Sequence, residues 1–270
     1  PVSQNTQSFS KGVQGVSGDR FMDLSSKISA FGADIRYLAY DSFNNLIFFG
    51  SATANKLGKY DPATDTFTDL SSFVATLGDA VQYLVYDPFH RLLFFGNTFG
   101  SFNPATITFV DLSNRVASLP FGAAQYLVYD SFNHVIFIGS SLSNNTLGKY
   151  DPTTDTFTNL SSNVSSFSGL VEYLTYDPFN RLIFFGSTSV SRFGQYNPQT
   201  DVFTNRNPAV SYSLSYLAYD SIKHLVFYGS GSSDNTFGYF DPATNTFTNL
   251  SSKVSSFGGR VQYLTYDSFN

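Results

Sequence analysis

One phrase governs this sequence: Tyr-Leu-x-Tyr-Asp occurs six times, beginning at Tyr37, Tyr83, Tyr126, Tyr173, Tyr216 and Tyr263. The steps between copies are 46, 43, 47, 43 and 47 residues, and a further 44 lead from Tyr263 through Asn270 and Pro1 round to Tyr37. Taken as a circle, the 270 residues divide into six units averaging 45. A fixed period of about 40–50 residues marks an array of small supersecondary units, each able to bury its faces only against its neighbours.

Within a unit the pattern predicts four short strands. In the second they are Val81 to Tyr86, Leu92 to Phe95, Gly100 to Phe102 and Ile107 to Leu112. The first two strands are joined by turns such as Asp41-Ser42-Phe43-Asn44 and Asp87-Pro88-Phe89-His90. Asp in such a turn can accept from backbone N–H groups two residues on, and Pro presets φ. A second turn reads Asp-Pro-Ala-Thr-Asp at Asp61 to Asp65, with relatives at Asp151, Asn197 and Asp241. The second strand, Leu46-Ile47-Phe48-Phe49-Gly50, is apolar without alternation, as in a strand covered on both faces. The fourth, Thr66-Phe67-Thr68-Asp69, mixes polar and apolar residues as an exposed edge does. The first carries a small or β-branched residue between Leu and Tyr (Ala39, Val85, Val128, Thr175, Ala218, Thr265), which suits a crowded innermost position.

Four strands per unit and six units on a circle predict an all-β, six-bladed β-propeller with four-stranded blades, a single domain over 1–270. The N- and C-terminal segments are expected to share the closing blade. Ser10 to Gln14 aligns with a third strand and Asp19 to Leu24 with a fourth, while polar Val2 to Gln7 must stand in for the apolar second strand. The alternative is that a strand from a neighbouring subunit fills that slot.

Composition narrows the function classes. Aromatic residues make up 18%, with Phe 30, Tyr 18 and Trp 0, and nineteen of the twenty acids are Asp, leaving Glu172 as the one Glu. Such a chain favours strands and turns over helices. With a net charge of −5 and no basic cluster, nucleic acid is not an expected partner. No apolar run approaches the length of a membrane-spanning helix. With Cys 0, disulfides and thiolate chemistry are excluded. Asn-x-Ser/Thr sequons at Asn144, Asn159, Asn163 and Asn249 are glycosylation candidates and fit an exported protein.

The run Leu174-Thr175-Tyr176-Asp177-Pro178-Phe179-Asn180-Arg181-Leu182-Ile183-Phe184-Phe185-Gly186, followed by an Asn-Pro-x-Thr turn, resembles the YVTN/NHL-like propeller repeats of secreted and cell-surface proteins. The resemblance covers the whole chain and implies the propeller fold and an extracellular or cell-surface setting. Phe-Phe-Gly stands where those repeats have Tyr-Val-Thr-Asn, and the likeness carries no catalytic residue across.

The chemistry-bearing residues are few. His90, His134 and His224 occupy the same turn region of three different units, so they are not expected to meet as a metal site or triad. Asp41, Asp87, Asp130, Asp177, Asp220 and Asp267 recur with the blade and read as turn caps. The residue before each Tyr-Leu does vary: Arg36, Gln82, Gln125, Glu172, Ser215 and Gln262 are the candidate ligand contacts at the axial mouth. Loops at Ser51 to Lys56, Asn97 to Phe99, Ser140 to Thr146, Ser187 to Arg192 and Ser230 to Thr236 are further binding candidates. No catalytic residue, metal or cofactor is expected. The expectation is a non-enzymatic extracellular structural or interaction propeller, with a protein partner or self-association as a surface or appendage filament subunit. The alternative is a carbohydrate-binding propeller that stacks glycan rings on Tyr212, Phe99 or Tyr239, and a third reading is a lyase or hydrolase acting through Arg36 and Glu172.

Overall fold

In a computed structural model, which describes residues 23–119, 124–206, 214–230, 235–261 and 264–265, five of the Tyr-Leu-x-Tyr-Asp phrases form the first strand of a four-stranded antiparallel meander. Unit 1 comprises Tyr37–Asp41, Leu46–Gly50, Leu57–Asp61 and Thr66–Asp69, hydrogen-bonded in chain order. Units 2 to 5 repeat it from Val81–Asp87, Gln125–Asp130, Leu170–Asp177 and Ser215–Asp220. These first strands pack side by side in sequence order, so they are the inner strands, and the fourth strand of each unit is outermost. The second strand of unit 3 runs on to Asn144 and pairs with the inner strand of unit 4 at Ser140↔Val171 and Asn144↔Leu170.

Unit 2 shows how closely composition places strands. Its strands are Val81–Asp87, Leu92–Asn97, Gly100–Asn103 and Thr108–Asp111. Ile107, expected inside the last one, instead sits in the turn before it with φ +55, a left-handed corner that ends the hairpin. The equivalent corners are Asp65, Asp155, Asp201 and Asn245, residues that tolerate this conformation better. There Tyr60 and Tyr150 donate their hydroxyls to Asp65 (2.7 Å) and Asp155 (2.9 Å).

The inner hairpins are held by the recurring Asp. Asp130 is fully buried; its Oδ1 accepts from the backbone N–H of Phe132 (2.9 Å) and Asn133 (3.1 Å), and its Oδ2 from Asn133 Nδ2 (2.7 Å). Asp41, Asp87 and Asp177 make the same bonds to their own turns, with His90 in the Asn place of unit 2. Hydrogen bonds to a carboxylate are worth about 1.5–3 kcal/mol each, so the turn-cap reading of this residue has a sufficient physical basis.

The core is distributed among the seams between units. Phe48 and Leu57 of unit 1 meet Leu93, Phe95 and Phe102 of unit 2, and comparable clusters fill the seams between units 2 and 3, 3 and 4, and 4 and 5. The second strands are buried along almost their full length, for example Leu182–Gly186, which explains their lack of alternation. The linkers from unit 1 to 2, 2 to 3 and 3 to 4 each cover the seam with a Leu-Val-Leu/Phe set such as Leu70, Val74 and Leu77. Burying one such side chain contributes about 1.5–3 kcal/mol. Where adjacent units come closest only Gly fits: a Cβ on Gly139 would lie 2.3 Å from the Val171 carbonyl oxygen, and one on Gly50 2.1 Å from that of Val81.

Two segments outside these units follow the same rules. Residues 24–35 cover the front of unit 1, with Phe31 edge-on to Phe49 at 5.1 Å, as Phe167 is to Phe185 at 4.9 Å. The Val261 carbonyl lies against Gly229 as that of Val81 lies against Gly50. The segments Val2 to Gln7 and Ser10 to Gln14, most of Asp19 to Leu24, and Gln262 lie outside the described residues, as does Asp267 to Asn270.

Candidate functional site

The inner strands enclose an axial cavity of about 960 Å³. Its wall is made by consecutive Tyr-Leu pairs, Tyr37-Leu38, Tyr83-Leu84, Tyr126-Leu127 and Tyr173-Leu174, joined by Ile35, Arg36, Leu264 and Thr265. In a regular strand, neighbouring residues point to opposite sides. Here a β-bulge intervenes: pairing shifts register between Gln82 and Val85, Glu172 and Thr175, and Ser215 and Ala218, and the tyrosine is the extra residue. Tyr83, Tyr126, Tyr173 and Tyr216 accordingly have φ of 51°, 48°, 50° and 54°. A left-handed non-glycine residue costs about 1–2 kcal/mol. Each aromatic pair returns about 0.5–1.5 kcal/mol, and the tyrosines pack at a tilt round the axis with centroids 4.7, 4.6, 4.8 and 4.4 Å apart from Tyr37 to Tyr216. A smaller chamber of about 190 Å³ is lined by these five rings alone. Burial and then the neighbouring phenols and Glu172 push the Tyr126 hydroxyl well above the ordinary tyrosine range, so it stays protonated.

The variable residues before the tyrosines are bonded both to the axial ring and outside it: Gln82 and Glu172 accept from the hydroxyls of Tyr37 and Tyr126 at 3.4 Å. Gln82 donates to the Ala52 carbonyl at 2.9 Å, and Gln125 accepts from the backbone N–H of Ser141 at 2.9 Å. Glu172 accepts from both the backbone N–H and the hydroxyl of Thr188 at 2.6 Å. Gln82 and Glu172 tie their inner strands to loops leaving a second strand, and Gln125 ties its own to the extended second strand of unit 3. Burial pushes the Glu172 carboxyl up from the ordinary glutamate value, against the opposing pull of Thr188 and of Tyr126. Arg36 differs: it lines the cavity, is exposed, and is held by Asp34 at 2.9 Å. Hydrogen bonds from Ser51 and Thr53, with Arg36 as a smaller cause, hold the Asp34 carboxyl below its usual value. The Ser215 backbone pairs with Gly229.

The histidines are separated, as their spacing predicts. His90 Nδ1 contacts Asp87 at 2.5 Å and its Nε2 reaches Thr153 at 2.9 Å, while His134 and His224 each take a tyrosine hydroxyl, Tyr129 and Tyr219, at 2.8 Å. Among the described residues no three His, Cys, Asp or Glu side chains form a metal-holding group, and no helix is long and apolar enough to cross a membrane. The sequon residues Asn144, Asn159, Asn163 and Asn249 are exposed. Of the expected stacking platforms, Phe99 is fully buried against Phe94 and Tyr150 and cannot take a sugar. Tyr239 is half-buried against Phe227, and Tyr212 lies outside the described residues.

Sequence reasoning missed a second aromatic array, at the inner hairpins. Phe43, Phe89, Phe132 and Phe179 each reach across a seam to the left-handed corner residue of the next unit. Phe43 lies 3.6 Å from the Arg91 guanidinium, Phe89 stacks on His134 at 3.9 Å, Phe132 lies 3.4 Å from Arg181, and Phe179 stacks on His224 at 4.0 Å. The signal was present: a Phe in the third turn position of units 1 to 4, with Arg or His two places after the same position of the following unit.

No family model and no curated protein sequence matches this chain. Solved structures do resemble it, and those below are β-propellers. A chain of a mitotic checkpoint complex aligns at 12% identity with a TM-score of 0.61, over 80% of this chain and 64% of its own. A chain of a nidogen/laminin complex aligns at 13% and 0.63, over 79% and 78%. A GH74 enzyme of Niastella koreensis aligns at 18% and 0.63, over 80% of this chain but only 38% of its own. At these identities the likeness establishes the propeller fold and nothing about activity.

Proposed function

We propose that this chain is a non-enzymatic structural and interaction propeller of the cell exterior, built as a ring of six units, whose seam in front of unit 1 is completed by association with a neighbouring copy. One observation carries this reading. Tyr86 and Tyr176 are 7% exposed because the preceding unit covers them, whereas Tyr40, in the same position of unit 1, is 55% exposed and Leu38 beside it is 62% exposed. Tyr129 and Tyr219 are half-buried at their seams, so unit 1 presents the most exposed copy of this apolar face among the described units, and such a face suits a partner. The sixth unit is supported by the docking of Phe31 on unit 1, by Val261 on Gly229, and by Leu264 and Thr265 at the shared axial cavity. Nidogen, laminin and the checkpoint proteins are named for complexes, which fits a propeller serving as a docking body.

Light scattering and electron microscopy of the full chain test this. The expected result is a concentration-dependent oligomer or filament that Leu38→Asp reduces to a folded monomer. A strictly monomeric wild type at high concentration overturns the assembly.

A further inference from the structure

The inner hairpins form an annulus whose chemistry the association does not use. Their tips are Phe43, Phe89, Phe132, Phe179 and Ile222, exposed by 54, 60, 48, 67 and 59% although each is a large apolar residue. All five hang from the same turn position of successive units, so they stand at one end of the axial channel. The turn carboxylates beneath them are hidden: Asp41, Asp87, Asp130 and Asp177 are 0% exposed and Asp220 is 5% exposed. What the annulus shows to solvent is therefore aromatic and cationic, with Arg91, Arg181 and Lys223 as its permanent charges. In two of the four stacks, at Phe43 and Phe132, a guanidinium lies over one face of the phenyl ring, and these rings keep about half of their surface exposed.

An open, rigid aromatic face beside a guanidinium is a subsite for a flat ring that carries a carboxylate. We propose that this annulus binds a linear acidic polysaccharide, its pyranose faces stacking on the hairpin phenylalanines and its uronate carboxylates pairing with Arg91, Arg181 and Lys223. The stacking uses the apolar body of the aromatic ring, the pairing uses the planar fork that matches a carboxylate, and repetition round the ring adds avidity from individually weak subsites. A polymer suits the surroundings better than a bilayer does. The outer hairpins bordering the annulus carry acids: the one that bears Thr153, the partner of His90, also holds Asp151 and Asp155. A flat anionic membrane would have to meet those carboxylates, whereas a single chain can follow the inner ring.

Isothermal titration calorimetry on the full chain, with polygalacturonate, its fully methyl-esterified form and neutral dextran as probes, tests the assignment. Polygalacturonate is expected to bind, less tightly as salt is raised, with the esterified polymer and dextran weaker by about tenfold or more, the loss of one to two charge-assisted contacts. Phe179→Ala and Arg181→Gln should each weaken binding several-fold. Because either could disturb the packing between units, Lys223→Glu, which lies outside the stacks, is the independent arm: its melting temperature should stay at the wild-type value while binding falls. Absence of binding, equal binding of the neutral polymers, or indifference to Lys223→Glu overturns the proposal. So does binding to phosphatidylglycerol vesicles with the same residue dependence when polygalacturonate fails, which would assign the annulus to a lipid surface.

Discussion

The inner strand of unit 1 and those of units 2 to 5 carry the same five-residue phrase and adopt different backbones. In unit 1, Tyr37 to Asp41 pairs with Gly50 to Leu46 without a break. In unit 4 the register shifts between Glu172 and Thr175, and Tyr173 takes φ 50°. What differs is the neighbour in front. The strands of units 2 to 4 begin by crossing over the end of the preceding second strand, where the Val81, Ala124 and Val171 carbonyls lie against Gly50, Gly96 and Gly139. The extra residue of the bulge turns the chain back toward the axis after that crossing. The bulge is thus a consequence of packing between units as much as of the phrase itself.

The sharpest way to break this comparison is to remove the same ring from both settings. Tyr86→Ala opens a cavity in a sealed seam and should cost about 3–5 kcal/mol of folding stability; Tyr40→Ala should cost under about 0.5 kcal/mol in the isolated chain and register as lost association. Urea unfolding with light scattering at two protein concentrations separates the two effects. A somewhat smaller change is expected at the crossings. Gly139→Ala places a methyl 2.3 Å from a carbonyl oxygen and should cost about 3 kcal/mol. Gly78→Ala, in open space with φ +72, should cost about 1 kcal/mol from backbone strain alone. Equal losses in thermal melts would show that the crossings are not tight.

The smallest effect concerns the residue before the tyrosine, and it contrasts unit 4 with unit 3. Burial raises the Glu172 carboxyl above its ordinary value of 4.5, so the folded state holds its proton more firmly than the unfolded chain does. Its stabilising contribution is complete below about pH 4.5 and is lost as pH rises through the raised value. Glu172→Gln, which installs the side chain already present at Gln125, should flatten that decline without altering the fold. A wild-type stability profile that rises across the same interval contradicts the assignment.

Much of the architecture was legible because repetition converts weak local signals into a strong one. Six copies of one phrase, an apolar second strand ending in Gly and Asp-led turns are each common; their shared period leaves few folds that satisfy all of them. What the sequence concealed was contact between units. Nothing in Tyr-Leu-x-Tyr announces the left-handed tyrosine of units 2 to 5, because that bulge is absent from unit 1, which carries the same phrase. The bonds that Gln82, Gln125 and Glu172 make to segments beyond their own inner strands were not legible either, since a polar residue at a strand entrance serves a ligand or a neighbouring loop equally well. The exposed Phe43, Phe89, Phe132 and Phe179 passed as turn residues because their partners lie more than forty positions away, on the next unit.

The most direct test of the whole account is a cryo-electron-microscopy map of the assembled protein that resolves the space between unit 5 and unit 1. The account predicts a sixth four-stranded wedge there, with Tyr40 and Leu38 covered as Tyr86 and Leu84 are in the next seam. A ring of five wedges, or a Tyr40 that faces solvent in the assembly, would contradict it.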